Sequence, residues 1–353
     1  MEPSLRRWAI VGGRYRVDRI IGRGGMGAVA AVTRLGTGER YAVKVLLAEL
    51  GRSAPMLERF RREARVLDFV RHPGIVRIHD CGESKDGVFI VMELLDGETL
   101  QERLQEDERL LVEDLLPIVE ALCDALASVH RVGIVHRDLK PSNVFLPAGG
   151  EPAVKLIDFG SAKPVEGADI TQAGQIVGTI RYMAPEQVSG GRVDERTDVY
   201  AVGAIVYRAL AGRPPFPRDW HLAVRAILEG HVPRLSGVAP EVARVVERAM
   251  SVARGDRFSD IRSFAAAFRD AVHAAQSAAA AAAEPPAPPA GVRQASRWNR
   301  RVVALAAAAG LVLGFGATAL VRHLAPPSEP IVRALDERES MPAGPTRAPA
   351  HDD

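Results

Sequence analysis

Apolar and polar positions change rhythm along this chain, and the changes mark out its elements. Tyr15–Ile21 mixes apolar and charged positions as a strand does. Ala28–Thr33 is short and partly β-branched, Gly36-Thr37-Gly38 makes a turn, and Arg40–Leu47 is a further apolar strand. Pro55–Val70 then places Leu57, Phe60, Ala64 and Leu67 close to helical period. His72-Pro73-Gly74 breaks that helix, Ile75-Val76 restarts a strand, and Val88–Leu94 is another. Thr99-Leu100-Gln101-Glu102 has the form of a capping box and predicts a helix start. Glu113–Arg131 is a strong helix, with Leu115, Val119, Leu122, Leu126 and Val129 on one stripe. Its Pro117 is tolerable only near the first turn, and Gly133 ends it. Val154–Ile157 reads as a strand and Asp198–Leu210 as an apolar helix capped by Gly212.

Beyond about Val272 the pattern fails. Ala278–Ala283 and the proline-rich Glu284–Pro289 predict a low-complexity linker, within 273–301, that packs against nothing. Residues 302–321 then contain no Asp, Glu, Lys or Arg. A bilayer core needs about 20 such residues of helix, so the segment is expected to span a membrane. An Ala-rich helix, buried in protein or on its surface, is the alternative. Arg293, Arg297, Arg300 and Arg301 precede it, which favours a cytoplasmic position for the preceding domain, while Arg322 and Arg333 weaken that bias. Gly310 and Gly314 form one GxxxG step, a face for self-association or a chance spacing. The tail 322–353 is polar and proline-rich and reads as disordered.

Composition narrows the classes. The 353 residues are 47% hydrophobic and 25% charged, as in globular proteins. The formal charge is +2, from 46 basic and 44 acidic residues, which gives no reason to propose a nucleic-acid partner. Cys81 and Cys123 make neither a zinc spacing nor a disulfide framework. The N-terminus has no run long enough for a cleaved signal peptide.

The chemistry concentrates in His136-Arg137-Asp138-Leu139-Lys140-Pro141-Ser142-Asn143. A carboxylate, an ammonium and an amide stand together there, the groups that move a phosphoryl group: a proton acceptor, a cation for the phosphate and a metal ligand. A charged surface turn is the plain alternative. Upstream, Gly22-Arg23-Gly24-Gly25-Met26-Gly27-Ala28-Val29 fits G-x-G-x-x-G-x-V, in which glycines let backbone approach phosphates. A dinucleotide-binding turn carries the same glycines but opens a helix, whereas a strand is expected here. Lys44 lies inside the apolar strand Tyr41-Ala42-Val43-Lys44, where burial is costly unless the ammonium is paired. Downstream, Asp158-Phe159-Gly160 ends a strand, and Ala184-Pro185-Glu186 closes an aperiodic segment holding Ser161, Thr171 and Thr179.

In this order, across residues 15–272, these parts resemble a bacterial eukaryotic-type (Hanks-type) serine/threonine protein kinase, here membrane-anchored. The resemblance implies an α+β bilobal fold, with a small sheet-rich N-lobe carrying one key helix and a larger helical C-lobe. It implies transfer of the γ-phosphoryl of ATP to protein Ser/Thr hydroxyls, the chain's own included, with Mg2+ or Mn2+. Asp138 would be the base and Lys140 would steady the γ-phosphate, while Asn143 and Asp158 would hold the metal. Lys44 would position the α- and β-phosphates, paired with Glu63; Glu58 is the competing choice. Ile21, Gly22, Gly24, Gly27, Val29, Ala42, Met92, Glu93 and Leu95 would line the nucleotide site, with Met92 as gatekeeper and backbone groups of Glu93 and Leu95 on the adenine edge. Thr179 would contact Asp138 and Lys140, and Thr171 would be the phosphosite, paired with Arg137. His136 and Asp198 would support the catalytic loop, and Arg257 would pair with Glu186. The family usually has a proline just before that arginine, where this chain has Ala253-Arg254-Gly255. A pseudokinase scaffold, a small-molecule phosphotransferase and a purely structural membrane anchor are the other classes; the second usually lacks a segment closed by A-P-E, and the third would not explain the catalytic residue types.

Overall fold

The structure, a computed structural model, describes residues 7–24, 27–46, 70–84, 87–151, 153–159 and 180–283. A six-stranded antiparallel sheet comes first: β1 (Ile10–Val11), β2 (Tyr15–Gly24), β3 (Gly27–Arg34), β4 (Arg40–Leu46), β5 (Ile78–Ser84) and β6 (Gly87–Glu93), in the order β1-β2-β3-β4-β6-β5. Period-two alternation divides this sheet into two faces. Ala28, Ala30, Val32, Val43, Val45 and Val91 close a small core with Tyr15 and Phe89 on one side. Val29, Ala42, Ile90 and Met92 face the other way and join the main core. Lys44, two residues after Ala42 and paired in register with Val29 and Ile90, belongs to that second face. Gly27 pairs with Leu46, and a β-carbon on it would collide with the Val45 carbonyl oxygen. Close strand approach therefore requires this glycine irrespective of any phosphate.

The helical part follows: α1 (Leu100–Glu106), α2 (Val112–His130), the single turn α3 (Pro185–Val188), α4 (Glu195–Ala211), α5 (Trp220–Glu229), α6 (Pro240–Ala249) and α7 (Ile261–Ala283). Thr99 caps α1 as the sequence indicates. Its Oγ1 accepts from Glu102 N at 3.2 Å, and its own N–H donates to the Glu102 carboxylate at 2.7 Å. Helix α4 is buried on nearly every side and ends at Gly212, whose φ of 74° costs least in a residue without a β-carbon. A second sheet, β7 (Gly97–Thr99), β8 (Val144–Pro147) and β9 (Lys155–Leu156), lies where the two parts meet.

Four local expectations change. Ile75 makes only an isolated parallel bridge to Leu156, so the strand starts at Ile78. Pro117 sits inside α2 beyond its first turn, where it removes one main-chain donor; burial of Leu115, Val119 and Leu122 outweighs that loss. Ala278–Ala283 is not linker but the end of α7, exposed over 278–282, since alanine favours the helix even without packing. Val70 is irregular and buried, and the rest of the helix expected over 55–70, with Glu58 and Glu63, lies outside the described residues. The segment 302–321 lies outside them too. Among the described residues no helix is long and apolar enough to cross a membrane.

Candidate active site

The catalytic candidates meet where the β4–β6 face approaches the loop between α2 and β8. Lys44 Nζ lies 2.9 Å from Asp158 Oδ1, with the lysine side chain 15% exposed. Burial of a strand ammonium is thus matched by a carboxylate from the other half of the molecule. The partner expected from the sequence, Glu63, lies outside the described residues.

The β8–β9 ladder explains how Asn143 and Asp158 come together. Val144 pairs with Leu156, so Asn143 stands opposite Ile157, whose N–H donates to the Asn143 carbonyl at 3.1 Å. Asp158 is the next residue. Asn143 Nδ2 donates to the Asp138 carbonyl at 2.7 Å, which leaves the amide oxygen as its ligand atom. A side-chain amide oxygen beside a carboxylate suits a hard divalent cation that takes its other ligands from phosphates and water.

Asp138 Oδ2 receives Lys140 Nζ at 2.8 Å and stands 3.5 Å from Asn143 Nδ2. Its backbone is held with equal care. Arg137, just before it, has φ 68°, a left-handed conformation costly for a residue with a side chain. The fully buried Asp198 carboxylate accepts from His136 N at 2.9 Å and Arg137 N at 3.0 Å. Asp198 lies in the first turn of α4, where the helix dipole favours a negative charge. His136 Nδ1 accepts from Asp138 N at 3.3 Å, and its ring lies 4.7 Å from that of Phe159. Burial lowers the His136 pKa below its ordinary 6.5. The neutral ring keeps the acceptor nitrogen that Asp138 N requires.

The nucleotide-site candidates divide. Val29, Ala42 and Met92 share the sheet face that carries Lys44, and Gly22 pairs with Val29. Gly24 and Gly27 close the β2–β3 hairpin, and Ile21 is 41% exposed. Glu93 differs from expectation in one respect. Its N–H donates to the Arg77 carbonyl at 3.0 Å, so of its main-chain groups only the carbonyl is left for an adenine. Its carboxylate accepts from Lys155 Nζ at 2.6 Å and Arg77 N at 2.8 Å. Leu95 follows in the irregular stretch before β7. Ser161, Thr171 and Thr179 lie outside the described residues, as does Gly160.

Glu186 and Arg257 form a buried bidentate pair, with Arg257 Nη1–Oε1 at 2.9 Å and Nη2–Oε2 at 2.8 Å. Thr197 Oγ1 donates to the same carboxylate at 2.7 Å. Burial pushes the Glu186 pKa up, but the Arg257 and Thr197 hydrogen bonds outweigh it and hold the group below its ordinary 4.5.

Two residues here were not legible beforehand. His130 Nε2 lies 2.7 Å from Asp198 Oδ2, a third donor to that carboxylate. Gln187 Nε2 donates to the Arg137 carbonyl at 2.6 Å. His130 reads in sequence as the basic end of a helix and Gln187 as a residue beyond a motif. Neither position carries a local signal of its distant partner.

A two-part fold that pairs a strand lysine with a carboxylate, beside a loop holding Asp138, Lys140 and Asn143, defines a phosphoryl-transfer enzyme. The comparisons agree. The chain belongs to the protein kinase family: the protein kinase domain matches residues 15–271. It is similar to serine/threonine-protein kinase PknA of Mycobacterium tuberculosis, at 38% identity over 82% of this chain and 67% of that protein. It is similar to serine/threonine-protein kinase Pkn1 of Myxococcus xanthus, at 37% identity over 91% of this chain and 48% of that protein. Among solved structures, the PknI kinase domain of Mycobacterium tuberculosis matches with a TM-score of 0.61 and 32% identity, over 76% of this chain and 99% of that one. The chain is accordingly a serine/threonine protein kinase, and these similarities lend no support to the pseudokinase reading.

Proposed function

We propose that this kinase moves the γ-phosphoryl of ATP in line onto a protein Ser or Thr hydroxyl, with Asp138 as base. The carboxylate takes the hydroxyl proton while the oxygen bonds to the γ-phosphorus and the bond to the ADP oxygen breaks. The Lys140 ammonium neutralises charge on the phosphoryl oxygens. Lys44 aligns the α- and β-phosphates, and Asp198 holds the loop that presents Asp138. Asp158 and Asn143 would hold a divalent cation, whose charge would offset that of the phosphate chain. The observation that carries this reading is the pair of contacts Lys44–Asp158 and Lys140–Asp138 at the meeting of the two lobes. Its test is incubation of the purified chain with ATP and magnesium, alone and with a generic protein substrate, followed by mass-spectrometric mapping. Phosphoserine and phosphothreonine are expected, with Thr171 foremost in the chain itself. ATP binding with no phosphorylated hydroxyl in either protein would sink the reading.

The same proposal extends to placement. Residues 302–321 span the cell membrane once and leave the kinase domain in the cytoplasm, where ATP is. The uncharged segment, the arginines before it and the need for ATP support this reading. Membrane fractions washed at high pH should retain the full chain, and protease added to intact cells should leave residues 1–283 uncut. Release by the wash would contradict it.

A further inference from the structure

The peptide linking Arg137 to Asp138 is fixed on both edges. Its N–H edge is that of Asp138, which donates to His136 Nδ1 at 3.3 Å. Its carbonyl edge is that of Arg137, which accepts from Gln187 Nε2 at 2.6 Å. The peptide before it is pinned by Asp198 through Arg137 N at 3.0 Å. A residue at φ 68° keeps that conformation only if its surroundings over-determine it. Asp198 and His136 act from the helical core and from the loop itself. Gln187 acts from a third place, the turn α3, in which it directly follows Glu186.

The other end of the same amide is also engaged. Gln187 Oε1 accepts from Ala184 N at 3.0 Å. One side chain therefore ties the end of the segment closed by Ala184-Pro185-Glu186 to the backbone that aims Asp138. The turn bearing it is anchored next door by the buried Glu186–Arg257 pair, with Glu186 7% exposed and Arg257 fully buried.

We infer that Gln187 is a positioning residue for phosphoryl transfer: its amide N–H fixes the 137–138 peptide plane, and so the direction of the Asp138 carboxylate, from the turn α3. This inference rests on Asp138 being the base. Gln187 touches neither nucleotide nor hydroxyl in this scheme. Its effect belongs to turnover and not to ATP affinity, because it bears on the loop and not on the sheet face that carries Lys44.

Two substitutions in the full chain separate this role from simple packing. Gln187→Glu keeps an oxygen for Ala184 N and removes the donor to the Arg137 carbonyl; Gln187→Ala removes both. Loss of one neutral hydrogen bond predicts a fall in kcat of about fivefold in Gln187→Glu. KM for ATP is expected within about twofold, and the melting temperature within about 3 °C of the parent. Protonation restores a donor at this position, so the ratio of variant to parent kcat should rise as pH is lowered from about 8 toward the carboxylate range. Gln187→Ala should lose as much turnover with no such rise. Full kcat in Gln187→Glu would overturn the inference, as would a fall matched by an equal loss of melting temperature and ATP affinity. Failure of the base assignment itself shows separately, as undiminished turnover in Asp138→Asn.

Discussion

Asp138→Asn should lower kcat by roughly 10²- to 10⁴-fold, the range associated with a positioned general base. The substitution preserves shape. The new side-chain oxygen can still meet Lys140 Nζ, now 2.8 Å from Oδ2, and the backbone bonds to His136 Nδ1 and from Asn143 Nδ2 are unaffected. What disappears is the capacity to take a proton. KM for ATP should therefore move by less than about twofold, since an interaction made only in the transition state changes kcat and kcat/KM together. The measurement is initial rate against ATP concentration at fixed protein substrate. A kcat within tenfold of the parent would remove Asp138 from the role of base. A large rise in KM with kcat retained would instead make it a nucleotide ligand.

How much of this site could be read from residues alone depends on how far apart its partners lie. Lys140 and Asp138 are two positions apart, so the octapeptide 136–143 displays its chemistry directly. That Lys44 lies in an apolar strand was legible too, but the face it shares with Ala42 and Leu46, opposite Val43 and Val45, is set by the sheet and shows only in the structure. The pairing of Arg257 with Glu186 spans 71 positions and was inferable only through resemblance. His130 and Gln187 had no such guide. Their partners, Asp198 and Arg137, are 68 and 50 positions away, and no periodicity encodes which amide meets which carbonyl. The left-handed Arg137 was hidden for the same reason, since Asp198 and Gln187 hold its backbone from distant elements. Pro117 misleads in the opposite direction: the local rule discourages it beyond the first turn, and burial of the α2 stripe overrides the rule. The alanine run 278–283 was read as linker from its low complexity, yet helix propensity alone carries α7 through it.

The largest effect on folding is expected at Arg257. Its guanidinium is fully buried and meets the Glu186 carboxylate through two bonds, while its remaining N–H groups reach the carbonyls of Ser251, Arg196 and Val252 at 2.7, 3.1 and 3.1 Å. The cation also lies 4.9 Å from the Tyr200 ring centroid. Arg257→Met fills much of the volume and strands a carboxylate that is 7% exposed, with Thr197 its one remaining side-chain donor among the described residues. Removing one partner of such a pair costs about 3–5 kcal/mol. For a domain of this size that lowers the melting temperature by about 10 °C. Glu186→Leu alone should cost a similar amount by stranding the guanidinium. The double variant should be more stable than the sum of the two losses predicts, because no unpaired charge stays buried. The pH dependence has a definite sign. Glu186 has its folded pKa below the ordinary 4.5, so its stabilisation is fully present above 4.5 and is lost as pH falls through the folded value. The gap in melting temperature between parent and Arg257→Met should accordingly be full at pH 7 and narrow in acid. An Arg257→Met protein that melts with the parent at pH 7 would show that the pair contributes nothing to the fold. Strict additivity in the double variant would show that the two charges do not act on each other.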